Sequence, residues 1–127
     1  MLPTYQLPTY HNLMKTNPAN LPLREPTFYI LLSLSPRSKH GYAILKDVES
    51  LSEGEIILST GTLYGALKRL LDQGWIMRVV EIQPNPGDRE RKEYALTPLG
   101  RRVLAAEINR LHRLVTIAKT QTMSETS

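Results

Sequence analysis

The side chains best suited to contact a ligand lie in residues 59–75, whose pattern predicts one short helix with two different faces. Leucines recur at helical spacing and predict a buried face, formed by Leu63, Leu67, Leu70 and Leu71. The opposite face carries hydroxyl, aromatic and cationic side chains with no carboxylate before Asp72, namely Thr60, Thr62, Tyr64, Lys68 and Arg69. Hydroxyls and cations are the groups that meet phosphates and base edges in a DNA groove. This face is therefore predicted to contact DNA.

Both ends of this helix carry residues that favour a helix boundary. The hydroxyl of Ser59 or Thr60 can accept a hydrogen bond from a first-turn amide, and Gly74 can adopt the left-handed conformation that ends a helix. Thr60 and Thr62 could therefore bond phosphates or only cap the helix. Tyr64 also has two compatible roles, because a half-buried tyrosine can support a helix junction through its ring and offer its hydroxyl to DNA.

The residues after the helix predict a two-stranded wing. Residues 75–82 are apolar and rich in β-branched types, residues 83–92 are turn-forming and charged, and residues 93–96 predict a return strand. A helix, a glycine, a strand, a basic loop and a strand follow one another in this order in a winged helix. Three cations at the far side of the loop are predicted to meet DNA: Arg89, Arg91 and Lys92.

The chain before the DNA-facing helix predicts an arm, two helices and a short strand. Residues 1–22 contain four prolines and no helical or strand period, so we expect a flexible or loosely packed arm. Helices are expected over about 26–34 and about 40–51, and residues 55–58 are expected to form a short strand that pairs with the wing. The predicted inward faces of the two helices consist of Phe28, Leu31, Leu32, Ile44, Leu45 and Val48.

Thr97 and Pro98 predict the start of a last helix, because threonine caps well and proline fits the first turn. Its apolar residues alternate steps of four and three, as in a coiled coil: Leu104, Ile108, Leu111, Val115 and Ala118. A small domain cannot cover so wide an apolar stripe, so a second copy of the chain is the expected partner. Packing onto the first helix of the same chain is the alternative. The helix is expected over residues 98–120, with a polar tail over 121–127.

Composition narrows the classes of function. A length of 127 residues fits one domain, and a hydrophobic content of 41% suffices for a core. The chain has no cysteine, its three histidines lack metal-ligand spacing, and no catalytic constellation is present, so we expect no metal, cofactor or enzymatic activity. The sequence has neither a membrane-spanning run nor a signal-peptide core, so a cytoplasmic location is expected. The net charge of +4 permits an anionic partner.

Four segments resemble, in order and spacing, the motifs of the PadR family of bacterial transcriptional regulators, over roughly residues 22–120. The matching segments are residues 23–34, His40-Gly-Tyr-Ala-Ile44, Ser59-Thr-Gly-Thr-Leu-Tyr64, and Arg91-Lys-Glu-Tyr-Ala-Leu-Thr97 followed by Pro98-Leu-Gly-Arg101. The resemblance implies a winged helix and a DNA-facing role for Tyr64. In some relatives a tryptophan of the last helix stacks on planar drugs, but this chain has no aromatic residue after Tyr94.

The resemblance also implies that the start of the second helix contacts the DNA backbone. The free amides and the positive dipole end of a helix N-terminus favour the same contact with phosphate. The residues concerned are Lys39, His40 and Tyr42. Packing of Tyr42 in the core and capping by His40 are equally compatible with the sequence.

The sequence thus predicts a mainly α fold with a small β-wing, in which a winged helix-turn-helix over residues 23–97 precedes a long C-terminal dimerisation helix. The predicted function is sequence-specific binding of a homodimer to double-stranded DNA, as a transcriptional regulator and most simply a repressor on a pseudo-palindromic operator. A small-molecule effector is a further potential partner, and a winged helix used for protein–protein interaction is the alternative. The predicted DNA contacts are Lys39, His40, Tyr42, Ser59, Thr60, Thr62, Tyr64, Lys68, Arg89, Arg91 and Lys92.

Overall fold

The computed structural model describes residues 21–81 and 91–126 of the chain. These residues form four helices and two strands, in the order α1, α2, α3, β1, β2, α4. The bounds are Glu25–Leu34 for α1, Gly41–Leu51 for α2, Thr60–Asp72 for α3, Ile76–Glu81 for β1, Arg91–Leu96 for β2 and Pro98–Thr126 for α4. The strands pair antiparallel, with Ile76 opposite Leu96 and Glu81 opposite Arg91. This order of elements confirms the predicted winged helix-turn-helix with a long C-terminal helix.

Residues 24–102 form one compact unit, and α4 from Val103 onward belongs to a second unit together with residues 21–23. The described core of the first unit includes Ile30, Leu31, Leu34, Ile44, Val48, Leu63, Ala66, Leu67, Leu70, Trp75, Ile76, Tyr94 and Leu96. The inward face of α1 differs from the predicted one, because Ile30 and Leu34 are buried whereas Phe28 and Leu32 are half-buried. On α3 three of the four predicted leucines are buried, whereas Leu71 is half-buried and Ala66 is buried in its place.

The strand predicted at residues 55–58 is wrong. The hydroxyl of Ser52, just after α2, accepts a hydrogen bond from the Ile56 amide at 3.0 Å. Gly54, with a positive φ of 82°, turns the chain between them. An amide that is already bonded in this way is not available to a sheet ladder.

Lys39 instead occupies the position beside the wing. Its amide donates to the Tyr94 carbonyl at 3.0 Å, and its carbonyl accepts from the Tyr94 amide at 2.8 Å. Its side chain is only 10% exposed, and its ammonium pairs with the carboxylate of Asp47 on α2. The same carboxylate accepts a hydrogen bond of 2.7 Å from the buried hydroxyl of Ser33 on α1. Lys39 thus joins β2 to α2, and its partner Asp47 extends the connection to α1.

The start of α4 is fixed against the segment that follows α3. Thr97 caps the helix as predicted, since its hydroxyl accepts from the Gly100 amide at 3.0 Å and also donates to the Gly74 carbonyl at 2.6 Å. Gly100 lies so close to Trp75 that an added Cβ would overlap the Trp75 carbonyl oxygen and lie 2.9 Å from the carbonyl carbon. A side chain at position 100 would therefore push the two segments apart.

α4 continues to Thr126, beyond the predicted end at residue 120. No glycine or proline follows Gly100 in the sequence, so nothing interrupts the helix. The Thr122 hydroxyl donates to the Ala118 carbonyl at 2.9 Å and so finds its partner within the helix. Within residues 21–81 and 91–126, no helix combines the length and hydropathy that crossing a membrane requires.

We expect the Gly100→Ala substitution to lower the free energy of unfolding by about 1–3 kcal/mol, because its methyl group would collide with backbone that cannot rotate away. Urea denaturation measures this change. The matched control is Gly61→Ala on α3, where an added Cβ meets nothing within 4 Å. There the stability should stay constant or rise by up to about 1 kcal/mol, since alanine favours helix. Equal effects of the two substitutions would contradict the close contact at Gly100.

Asp47 should make the stability of the fold sensitive to acid. Its burial raises the pKa of the carboxyl, but hydrogen bonds from Lys39 and Ser33 and the charges of Lys39 and Arg37 outweigh burial and lower the pKa below its ordinary value. A lowered pKa means that the stabilisation is fully present above the unfolded pKa of about 4 and disappears as the pH falls through the folded pKa.

Acid unfolding should therefore be less steep in the Asp47→Asn variant than in the wild type over this pH window. Circular dichroism during an acid titration at fixed urea provides the measurement. Asp72→Asn is the control, because the Asp72 side chain is 70% exposed and lies 4.0 Å from its cation. Superimposable titrations of wild type and Asp47→Asn would show that this carboxylate does not carry the acid sensitivity.

Candidate nucleic-acid interface

The first turns of α2 and α3 lie side by side on the surface of the unit formed by residues 24–102. A hollow of about 210 Å³ lies between them, lined by Gly41, Tyr42, Leu45, Thr60, Leu63 and Tyr64. Each first turn leaves backbone amides without helical acceptors and carries the positive end of the helix dipole. The surface therefore combines two electropositive helix ends with exposed aromatic and hydroxyl groups.

The exposed face of α3 carries a ridge of three polar residues. Thr60, Tyr64 and Lys68 follow one another at steps of four, which places them on one line along the helix. Tyr64 is 47% exposed, and the Lys68 side chain is 80% exposed. The ammonium of Lys68 lies 4.0 Å from the carboxylate of Asp72, whose side chain is 70% exposed, and at this separation its charge remains accessible to another anion.

The hydroxyls of Ser59 and Thr62 differ in whether they can donate a hydrogen bond to a ligand. Ser59 is the N-cap of α3, because its oxygen accepts from the Thr62 amide at 3.1 Å. Its hydroxyl hydrogen is engaged as well, since it donates to the Thr62 hydroxyl oxygen at 2.9 Å. Thr62 accepts that bond and is exposed, so its own hydroxyl hydrogen can be donated to a ligand. Ser59 thus positions Thr62.

Tyr64 supports the junction between α2 and α3 and remains partly exposed. Its ring lies over the start of α2, where a Cβ added to Gly41 would overlap the tyrosine hydroxyl and lie 2.8 Å from the ring carbon Cζ. The absence of a side chain at Gly41 creates the space that the ring occupies. Almost half of the tyrosine still faces solvent, so it supports the junction of the two helices and presents an aromatic edge.

Two glycines of α3 belong to this surface, although the sequence argument assigned them no contact. An added Cβ would meet nothing within 4 Å at Gly61, and at Gly65 only the Arg69 guanidinium at 3.8 Å. Glycine within a helix costs about 1 kcal/mol relative to alanine, and no packing contact requires it at either position. Their effect is a bare strip of backbone beside the polar ridge. The sequence could have indicated this strip, because its two glycines lie four residues apart on a helix face that is otherwise polar.

A groove between α3 and β1 contributes a further cation. It has a volume of about 740 Å³, and its lining includes Lys68 and Asp72 on α3 and Met77 and Arg78 on β1. Arg78 is exposed and faces the same groove as Lys68. Arg78 was not among the predicted contacts, because the strand containing it was assigned to the wing as an apolar element.

At the start of α2, His40 and Tyr42 play different parts. His40 is the N-cap, and its Nδ1 accepts from the Ala43 amide at 3.4 Å. Tyr42 is 64% exposed, which excludes the alternative of a core position, and the Lys46 ammonium lies 5.9 Å from its ring centre. Lys39 departs from the expectation of a DNA contact, because its buried ammonium is already paired with an aspartate. α2 therefore offers an exposed ring in its first turn and an exposed cation one turn later.

The predicted wing contacts are only partly within the described residues. Lys92 is exposed on β2. Arg89 lies outside the described residues, as does the side chain of Arg91.

The predicted dimerisation stripe of α4 divides into a buried and an exposed part. Leu104 is 5% exposed in a single copy, so it does not remain available to a second chain as expected. The heptad pattern identifies residues on one face but not which of them the same chain covers. Ile108, Leu111 and Val115 are 45%, 36% and 50% exposed, and Ala118 is exposed. Among the described residues of this stripe, the exposed apolar surface therefore begins at Ile108.

Three helices followed by a two-stranded wing, with the third helix presenting a polar face, define a winged helix-turn-helix of the type found in DNA-binding regulators. The sequence profile of the transcriptional regulator PadR-like family matches residues 30–106, which is more than half of the chain. The chain therefore belongs to the PadR-like family of transcriptional regulators.

Solved structures show the same fold. A PadR family transcription regulator from Clostridium difficile R20291 matches with a TM-score of 0.59 and 28% identity, over 79% of this chain and 99% of that one. Bacillus subtilis PadR in complex with operator DNA matches with a TM-score of 0.55 and 28% identity, over 65% of this chain and 46% of that one. A PadR-like regulator from Bacillus cereus, at 19% identity, matches with a TM-score of 0.61 over 76% of this chain and 89% of that one. The search of curated proteins gave no match.

Proposed function

We propose that this protein is a homodimeric, sequence-specific DNA-binding transcriptional regulator that acts as a repressor. The observation that carries the proposal is the surface at the first turns of α2 and α3, where exposed hydroxyl, aromatic and cationic groups surround a strip of bare helical backbone. The likeness to Bacillus subtilis PadR, whose structure contains operator DNA, supports the same partner. Because that partner is DNA, the proposal includes the cytoplasmic location expected from the sequence.

In the proposed complex α3 enters the major groove with its N-terminal half. Thr62 can donate its free hydroxyl hydrogen, and Lys68 can donate to O6 or N7 of guanine. Tyr64 can offer its hydroxyl to a phosphate or its ring to a thymine methyl group. Gly61 and Gly65 support this docking because a helix without side chains at these positions can approach the DNA more closely.

Phosphate contacts would fix the orientation of the protein on the duplex. Tyr42 and Lys46 in the first two turns of α2 and Arg78 in the groove beside α3 are exposed and lie near this face. The wing is proposed to add Arg89, Arg91 and Lys92. His40 and Ser59 contribute as caps that position the first turns, and any DNA contact of theirs would use the neighbouring backbone amides.

The dimer is proposed to form through the exposed apolar residues of α4, from Ile108 to Ala118. Two recognition helices would then enter successive major grooves about 34 Å apart on a pseudo-palindromic operator. A dimer bound near a promoter would repress by hindering polymerase. A small-molecule effector would act by changing the separation of the two recognition helices and thus the affinity for DNA.

The alternative is a winged helix that binds another protein. Binding to duplex DNA with a strong salt dependence would favour the first proposal, because each phosphate contact releases counterions. The bare glycine strip and the two electropositive helix ends favour DNA, since a protein partner would gain more from apolar side chains at these positions.

Replacing Lys68 by alanine should reduce affinity for the operator by roughly 1–3 kcal/mol if a base contact is lost, and should reduce non-specific affinity less. The operator is first selected from a pool of random duplexes, and operator and scrambled duplexes are then titrated at one fixed salt concentration. Lys119→Ala is the matched control, because it removes the same charge from an exposed position on α4. Tyr64→Phe tests the hydroxyl separately while it keeps the ring.

Equal losses on both duplexes would reduce Lys68 to a phosphate contact. A protein that selects no sequence and binds no duplex would overturn the proposed function.

Replacing Leu111 by arginine should shift the protein from dimer to monomer at micromolar concentration, because a charge would enter an apolar interface without a partner. Leu111 is 36% exposed in a single copy, so the fold of the single chain should survive the change. Static light scattering measures the mass. The control is Thr116→Arg, an exposed position on another side of the helix. A wild type that scatters as a monomer would refute the dimer.

A further inference from the structure

α4 exposes a second line of apolar residues beside the stripe proposed for dimerisation. At about 100° per residue, Val103, Glu107, Leu114 and Ile117 fall within a sector of roughly 80°. Val103 and Glu107 are 3% and 2% exposed, whereas Leu114 and Ile117 are 47% and 57% exposed. The same side of the helix is thus covered near residue 107 and open beyond it. We call the open part, Leu114 and Ile117, the flank.

A two-stranded coiled coil would not cover the flank. The residues of the proposed seam, Leu111, Val115 and Ala118, are centred roughly 100° away around the helix. A partner helix packed along that seam buries the seam positions and leaves residues outside them open to solvent. Leu114 and Ile117 are therefore exposed apolar residues that continue a buried side of the helix, and a segment other than the partner helix is needed to cover them.

The chain itself is anchored at the covered end of this sector. The amide of Leu23 donates to Oε2 of Glu107 at 3.0 Å, and Arg110 donates to Oε1 at 2.7 Å and to Oε2 at 2.9 Å. The hydrogen bonds from Arg110 lower the pKa of Glu107 more than its burial raises it, and the Leu23 amide lowers it further. The carboxylate is thus ionised at neutral pH and holds residue 23 beside the helix.

The residues before Leu23 have the length and composition to cover the flank. Ile117 lies ten residues beyond Glu107, a rise of about 15 Å, and five or six extended residues at about 3.1 Å each span that distance. Among residues 1–20 the sequence contains Leu-Pro-Thr-Tyr twice, at 2–5 and 7–10, and the pair Leu13 and Met14. Lys15 and His11 are the only titratable side chains there apart from the tyrosines. A solvated arm is usually richer in charge and poorer in aromatic residues.

We propose that the N-terminal arm, residues 1–20, docks on the flank of α4 in its own chain, from the Glu107 anchor towards the end of the helix. The arm supplies the apolar cover that Leu114 and Ile117 lack. This inference does not depend on DNA binding, and it rests on the proposed dimer only in that the dimer seam leaves the flank open.

Cysteine cross-linking in the full-length protein tests the docking. The natural chain has no cysteine, so an introduced pair reports only on itself. Asn17 lies six residues before Leu23, and this stretch, about 19 Å when extended, is long enough to reach Ile117, which lies about 15 Å along the helix from Glu107. The Asn17→Cys and Ile117→Cys pair should form an intrachain disulfide on mild oxidation, since this requires Cα atoms within about 7 Å. A faster-migrating band of monomer mass on a non-reducing gel reports it.

The matched control is the pair Asn17→Cys and Thr116→Cys. Thr116 is exposed and adjacent in sequence, but it lies about 100° away around the helix. Its cross-linking should be several-fold slower, and a short bis-maleimide should reproduce the preference without the geometric demands of a disulfide. Equal rates for the two pairs, or no cross-link with either reagent, would overturn the proposal.

Two further outcomes identify a different occupant. A disulfide of dimer mass in the Asn17→Cys and Ile117→Cys pair would show that the arm crosses to a second copy. A disulfide of dimer mass in Ile117→Cys alone would place the flank between two helices. Either result overturns docking within one chain.

Discussion

The contact between Lys39 and Asp47 is the interaction on which the geometry of the DNA-facing elements depends. A buried ammonium is tolerated only when it is paired, so the side chain of Lys39 must reach the carboxylate on α2. The backbone of the same residue is hydrogen-bonded to Tyr94 in the wing. These two requirements fix the wing relative to the start of α2, which begins two residues later at Gly41. The ring of Tyr64 then occupies the space that Gly41 leaves open.

A second constraint divides the polar residues of the candidate interface into two groups. The side-chain acceptors of Ser59 and His40 are occupied by the amides of their own first turns. Thr62, Tyr64 and Lys68 have donors that the fold leaves accessible. The first group therefore sets where the helices begin, and the second is free to act on a partner. Residue type alone does not separate these groups, because a serine and a threonine near a helix start have the same chemistry.

The sequence was sufficient for the elements whose signals are local, and it failed where a contact between distant residues decided the outcome. Caps at Ser59 and Thr97 and the glycine at position 74 are local signals, and the structure has helix boundaries there. The strand expected at 55–58 does not form, because the hydroxyl of Ser52 accepts a hydrogen bond from the Ile56 amide. The place of Lys39 beside the wing was likewise not predicted, since neither its burial nor its pairing with Tyr94 follows from its neighbours in sequence. A heptad pattern likewise places Leu104 on a face without showing that its own chain covers it.

The bare strip at Gly61 and Gly65 has a consequence for how this protein can change. Neither position has a neighbour that a methyl group would disturb, and alanine favours the helical state at both. Selection for heat resistance alone, in the laboratory or in a warming habitat, would therefore favour side chains at both positions. If the duplex approaches α3 at this strip, each stabilising side chain would also widen the helix where it has to lie close to DNA. The persistence of glycine at both positions would then record a selective pressure that thermal stability does not explain.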